Sequence, residues 1–206
     1  MEMSEVIHFL FVIDVSGSMF GQKIASVNGV LAECLAELKR VYNSETKVSL
    51  VTFSDTMKEI IINQSLENTN IIRVEVKPNA DGFFPVTSFS SLVKSIKSLF
   101  ENETISDGKQ GSKTFIFLFS DVKPIDKKRY NEELTKIQKN LEFKNATKYV
   151  GYAEEGSVKY TEDAVRFVDY KADHIVPISE MLTVIKKLET ILYLESNQSE
   201  QENVFY

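Results

Sequence analysis

The sequence predicts a doubly wound α/β domain: a mostly parallel central sheet with one antiparallel edge strand and helices on both faces. Three observations carry that prediction. Short apolar runs of strand length alternate with longer segments whose apolar residues recur at helical spacing. Two of the runs, Phe9–Ile13 and Phe115–Phe119, are apolar without interruption, the pattern of parallel strands covered on both faces. Each run leads into an aspartate, Asp14 or Asp121, at the carboxyl end of its strand, where open α/β sheets gather their binding groups. With 206 residues, 43% of them hydrophobic, one full core is within reach.

The elements follow in order. Val6–Ile13 reads as a buried strand. Lys23–Val41 is a helix on Ile24, Val27, Leu31, Leu35 and Leu38. Lys47–Phe53 is the next strand, with Val48, Leu50, Val51 and Phe53. The chain turns at Ser54-Asp55, and Glu59–Ile62 returns antiparallel as a short edge strand. Asn63–Asp81 is irregular, with one more short strand expected over Ile71–Val76. Ser88–Asn102 repeats the helical pattern, and Glu103–Ser112 is a polar loop. Lys113–Ser120 is the central strand. Lys127–Leu141 forms a helix on Tyr130, Leu134, Ile137 and Leu141, and Thr147–Tyr152 a strand. Thr161 caps a short helix whose first turn holds Glu162 and Asp163, both favourable to the helix dipole. His174–Val176 is a short strand, and Ser179 caps a last helix with Leu182, Ile185, Leu188 and Leu192 inward. No internal repeat or second boundary is visible, so residues 1–194 form one domain. The polar tail 195–206 is expected to be disordered.

Composition excludes several classes. A net charge of −6 argues against nucleic acid as the main partner. The single cysteine, Cys34, rules out an intramolecular disulfide framework and a Cys-rich zinc site. The two histidines, His8 and His174, lie in apolar strand-like runs and read as structural. The acidic start Met1–Glu5 and the apolar stretch that stops at Asp14 do not make a secretory signal. No apolar run approaches the ~20 residues of a membrane span. A cytoplasmic protein without membrane or nucleic-acid partners is therefore expected.

Chemistry concentrates in Asp14-Val-Ser16-Gly-Ser18, which offers three hard oxygens on one short loop. A turn held by Asx and Ser hydrogen bonds is the structural alternative. The metal reading favours Mg2+ or Mn2+, hard cations that take oxygen ligands. Neutral hydroxyls offset little of the cation's charge, which leaves it electrophilic toward an acidic group from outside. Two distant features converge if the strands bearing Asp14 and Asp121 are neighbours. Asp121 then faces the same crevice, and Thr87, just before a helix, enters from the loop above. The candidate set is Asp14, Ser16, Ser18, Thr87 and Asp121.

Competing chemistry fits less well. Gly17-Ser-Met-Phe-Gly21-Gln-Lys23 has three residues between its glycines and no hydroxyl after the lysine, so it is no Walker loop. A phosphatase of the aspartate-nucleophile kind needs a second carboxylate two residues on, and Ser16 stands there. No Ser-His-Asp or Cys-His set is available either. The chain thus reads as a binding module and not as an enzyme. Phe83-Phe84, near Thr87, reads as a loop packed onto the sheet or as an apolar rim beside the metal. Lys127-Lys128-Arg129 reads as a solvated helix start.

The quintet resembles the metal-ion-dependent adhesion site (MIDAS) of von Willebrand factor A (VWA) domains, over nearly the whole chain from Val6 to about Leu194. Within that family the chain is similar to bacterial tellurium-resistance-type proteins, through the strand-loop start, Ser49–Phe53, and Gly151-Tyr-Ala. The resemblance implies a Rossmann-like fold and a Mg2+-dependent protein–protein interaction module that binds a partner's Asp or Glu. Ser16 and Ser18 would touch the metal directly, Thr87 directly when ligand is bound, and Asp14 and Asp121 mainly through water. It also implies a bacterial stress or phage-defence setting, with a kinase and phosphatase pair as partners. The alternatives are an adaptor for an AAA-type ATPase and a metal-dependent phosphatase. The chain departs from the family at Pro85 and Val122, where glycines are usual. These residues stiffen their loops, so a preformed site with little movement of Thr87 is expected.

Overall fold

The computed structural model describes residues 6–42, 45–70, 72–101, 112–121, 125–153, 161–188, 190 and 192. Its strands are β1 (Ile7–Asp14), β2 (Lys47–Phe53), β3 (Met57–Ser65), β4 (Lys113–Ser120), β5 (Thr147–Tyr152) and β6 (Ile175–Pro177). They form one sheet in the order β3-β2-β1-β4-β5-β6. Every pairing is parallel except β2 with β3 at the edge, so the predicted architecture stands. Apolar runs in β1 and β4 place both strands at the centre. β1 pairs with β2 on one side and β4 on the other, and its residues from Phe9 to Asp14 are buried.

Alternation along β1 divides the core in two. Phe9, Phe11 and Ile13 face α1 (Gln22–Val41) and the helical residues 181–188. Leu10 and Val12 face α2 (Phe89–Glu101), α3 (Lys127–Ile137), α4 (Leu141–Asn145) and α5 (Glu162–Phe167). The first face carries an aromatic ladder. Phe11 stacks on Phe117 at 5.3 Å between ring centroids, and Phe117 on Tyr149 at 5.5 Å. Such rings remove large apolar areas from water and hold the strand register that the site depends on.

Several expectations need correction. The edge strand is longer than Glu59–Ile62. No strand forms over residues 72–76; the Asn28 side chain instead makes both hydrogen bonds of the Val74 backbone, at 2.8 Å each. That amide on α1 stands in for a neighbouring strand, while Val74 and Val76 still reach the core. The predicted helix Lys127–Leu141 ends at Ile137. Asn140 takes an extended backbone and its side chain accepts from the Phe143 amide, which starts α4 and leaves Leu141 exposed. Ser179 does not stand at an N-cap position: it lies inside a 3-10 turn, Ile178–Glu180, with Pro177 at that turn's N-cap position. Thr161 does occupy the N-cap position of α5, with Glu162 and Asp163 in the first turn.

Both histidines are structural, although His174 sits in a 3-10 turn just before β6. The His8 Nε2 lies 2.9 Å from the Ser49 hydroxyl, and the His174 ring stacks on Tyr149. Cys34 is buried on α1. Lys127, Lys128 and Arg129 are exposed, as expected of a solvated helix start. Among the described residues no helix is long and apolar enough to cross a membrane. The tail 195–206 and the loop 103–111 lie outside the described residues.

Candidate metal centre

The site is built at the carboxyl edge of β1 and β4. Register sets Ile13 against Phe119, so Asp14 and Ser120 meet at the strand ends. The Ser120 hydroxyl donates to Asp14 Oδ2 at 2.6 Å, and the Ser16 amide donates to Asp14 Oδ1 at 2.9 Å. The second bond is the Asx turn of the structural alternative. It folds the loop back so that the hydroxyls of Ser16 and Ser18 lie 3.1 Å apart. The turn and the ligand set are therefore one device. Beyond it a 3-10 turn, Gly17–Met19, buries Met19, and Gly21 at φ 82° admits the chain to α1.

Thr87 is brought in from the other side by backbone bonds. The Gly17 amide donates to the Pro85 carbonyl at 2.8 Å, and the Ser88 amide to the Ser54 carbonyl at 2.8 Å. Asp126 then anchors the start of α2, accepting from the Ser88 hydroxyl at 2.9 Å and from the Phe89 and Ser90 amides at 3.1 Å. Burial raises that carboxyl's pKa, but the bonds from Ser90 and Ser88 outweigh it and hold the group below the ordinary range. The result is a direct contact: Thr87 Oγ1 donates to Ser16 Oγ at 2.7 Å. Thr87 thus stands in direct contact with the serine pair. Val122 lies outside the described residues.

Asp121 completes the set from the end of β4. Its side chain is fully buried, and among the described residues neither carboxylate oxygen has a hydrogen-bond partner. Lys23 approaches Oδ2 to 3.5 Å. A buried carboxylate without donors is costly unless a cation lies close, and the lysine supplies one neighbouring charge. Asp14 is also strained electrostatically. Burial pushes its carboxyl up to about 6 against the lowering effect of the Ser120 and Ser16 bonds, and Asp121 adds repulsion.

Of the five predicted residues, Asp14, Ser16, Ser18 and Thr87 form one hydrogen-bonded chain, and Asp121 adjoins it through Ser120. Three converging hydroxyls beside two buried carboxylates suit a hard divalent cation. Among the described residues no three His, Cys, Asp or Glu side chains are grouped to hold a metal, so a soft-ligand zinc site is not what this edge offers. Sequence reasoning missed three supporting residues: Ser120, Lys23 and Asp126. Ser120 was signalled by its position one residue before Asp121, and Lys23 by the loop that had been weighed as a phosphate cradle.

Gly17 makes a direct test of this geometry. A Cβ there would meet the Phe84 Cβ at 2.6 Å. Gly17→Ala should push the Phe84–Thr87 segment outward and cost about 1–3 kcal/mol of stability, the usual cost of overpacking. Thermal unfolding checks the loss, and an unchanged midpoint would show that the two loops are not locked together.

An α/β domain whose sheet edge offers a hydroxyl–carboxylate cation site is the class that fold and site define. The family model for the von Willebrand factor type A domain matches residues 9–150, and the chain belongs to that family. No curated protein matches the sequence. Similar solved structures share the fold at low identity. Manganese-loaded TRAP from Plasmodium vivax aligns with a TM-score of 0.63 at 15% identity, covering 88% of this chain and 72% of that one. Proximal thread matrix protein 1 from the mussel byssus, with zinc in its MIDAS motif, gives 0.59 at 10% identity, covering 91% and 46%. The pilus adhesin SpaC from Lactobacillus rhamnosus GG gives 0.63 at 10% identity, covering 92% and 30%. This chain thus spans about half the length of the byssus protein.

Proposed function

We propose that this protein is a Mg2+-dependent protein-interaction module whose metal is bridged by an Asp or Glu of a partner; Mn2+ would serve in place of Mg2+. The observation that carries the reading is the hydroxyl chain Thr87–Ser16–Ser18 set beside the buried carboxylate of Asp121, which has no hydrogen-bond partner among the described residues. Ser16 and Ser18 would hold the cation directly, Thr87 once a ligand is bound, and Asp14 and Asp121 through water. When bound, the metal supplies a weakly neutralised positive centre for an outside carboxylate. The residues themselves do the rest. Ser120 and the Ser16 amide orient Asp14, and Asp126 and Pro85 fix the loop that carries Thr87. The related folds loaded with manganese in TRAP and with zinc in the byssus protein support a divalent ion at this edge.

The reading extends to a domain over residues 1–194, a cytoplasmic location and a non-enzymatic role, since Ser16 stands where a phosphatase would keep its acid. A bacterial stress or tellurium-resistance setting, with a kinase and phosphatase pair or an AAA-type ATPase as partner, rests on the motif resemblance alone.

Capture of partners from the native host decides the bridge. Retention in Mg2+, release by EDTA and recovery on adding Mg2+ back are the expected results. Retention that ignores EDTA would overturn the metal bridge.

A further inference from the structure

Five of the seven large hydrophobic side chains exposed among the described residues, Phe20, Phe83, Phe84, Val86 and Ile125, sit on the three loops that carry the candidate metal residues. Phe20 lies two residues after Ser18. Phe83, Phe84 and Val86 lead into Thr87, and Ile125 donates its amide to the Thr87 carbonyl at 3.4 Å. Their exposures are large, 61% for Phe20, 72% for Phe83 and 69% for Ile125. The Phe20 and Phe84 rings also touch, with centroids 4.9 Å apart. The packed-loop expectation for Phe83-Phe84 is thereby corrected: both rings face outward beside the site. Scattered exposed apolar residues need no explanation, but a cluster around one feature marks a contact surface.

Charge on the flank adds a second constraint. A groove bordered by Val15 and Pro85 carries Lys58, Arg73 and Lys77 against one carboxylate, Glu75. In a chain of net charge −6 that is a local reversal of sign. It complements an acidic segment passing over the site and repels a basic one.

The structure assigns this face to an acidic protein segment in which the metal-bridging Asp or Glu is flanked by large apolar side chains. The assignment rests on the metal-bridged reading above and adds the chemistry of the neighbouring positions. The carboxylate reaches the cation, the flanking side chains cover Phe20, Phe83 and Phe84, and further acidic residues lie toward Lys58 and Arg73. Apolar contact around a buried polar bond excludes water from it, which strengthens the bond and selects the partner.

Three acetylated, amidated pentapeptides with Mg2+ in excess test this by calorimetry: a central Glu flanked by Phe, a central Glu flanked by Ser, and a central Gln flanked by Phe. The Phe-flanked Glu peptide should bind at least about tenfold tighter than the Ser-flanked one, a step worth ~1.4 kcal/mol. The Phe20→Ser, Phe83→Ser double variant should lose that preference while Mg2+ titration shows the metal still bound. Equal affinity for the two Glu peptides, or an undiminished preference in the double variant, would overturn the apolar flank and leave the metal bridge standing. A Gln peptide that binds as tightly as its Glu counterpart would overturn the bridge itself, and the inference with it. Failure of all three peptides to bind the Mg2+-loaded protein would also overturn the assignment.

Discussion

Replacing Ser16 and Ser18 together by alanine should abolish Mg2+ binding while leaving the far-ultraviolet circular dichroism of the protein unchanged. Each hydroxyl removed is a hard oxygen that the described residues do not replace, because no cluster of three His, Cys, Asp or Glu lies near. The parent should bind Mg2+ or Mn2+ with millimolar or tighter affinity, and the double variant should lose more than the ~10–100-fold that removing an outer-shell partner costs, because it loses direct ligands. Asp14→Ala should have the same effect on binding. Calorimetry with the parent and the variants in parallel is the measurement. Equal heats for parent and double variant would remove the metal site from these residues. The fold should survive because Ser18 is exposed and the small Ser16 contributes nothing to either core cluster.

The second large effect concerns Asp14 in metal-free protein. Its carboxyl is pushed up to about 6 by burial, against 3.8 as a model value. In the pH window between those values the folded state binds more protons than the unfolded state. Stability from this group is therefore fully present below pH 3.8 and is lost as pH rises through about 6. At neutral pH the buried charge costs on the order of 3 kcal/mol, from ~1.36 kcal/mol for each unit. Asp14→Asn keeps an acceptor for the Ser16 amide and offers the Ser120 hydroxyl a donor in place of an acceptor. In EDTA at pH 7 the Asn variant should unfold roughly 6–12 °C above the parent, given about 2–4 °C for each kcal/mol in a domain of this size. The gap should close near pH 4. In saturating Mg2+ the order should reverse, because only the parent gains from the ligand. A variant less stable than the parent at pH 7 in EDTA would show that the Asp14 charge is already compensated within the fold.

Much of this site was legible before any coordinates. Asp14 and Asp121 stood out because parallel strands buried on both faces write continuous apolar runs, and a charged residue must end such a run. Ser16 and Ser18 were legible from spacing, since alternate residues of a short loop present their oxygens together. Thr87 was harder, because nothing local in Pro85-Val-Thr87 marks a ligand; only its place just before a helix, on a loop expected to reach the strand ends, pointed to it. The outward-facing rings of Phe83 and Phe84 were ambiguous for a related reason. An aromatic pair in a loop has the same composition whether it packs inward or forms a rim.

Two of the misreadings share one cause. Leu141 continues the period of α3, but Asn140 ends the helix by offering its side chain to the Phe143 amide, a cap that competes with periodicity over a single residue. Val74 and Val76 alternate like a strand, yet the Val74 backbone pairs with the Asn28 side chain of a helix. Each outcome was decided by one polar group whose partner cannot be read from its own surroundings.

The order of residues alone thus settled the alternation of strands and helices, which carboxylates end the central strands, and that one short loop carries paired hydroxyls. Those are consequences of local periodicity and of the exclusion of charge from apolar runs. Three contacts waited for the folded chain: Ser120 on Asp14, Lys23 on Asp121, and Asp126 under the start of α2. The first joins residues 106 positions apart in the sequence. Such bonds exist only after β1 and β4 have paired in register, since a hydrogen bond or ion pair needs its partners within about 3–4 Å and the sequence carries no distance between segments that meet only through the sheet.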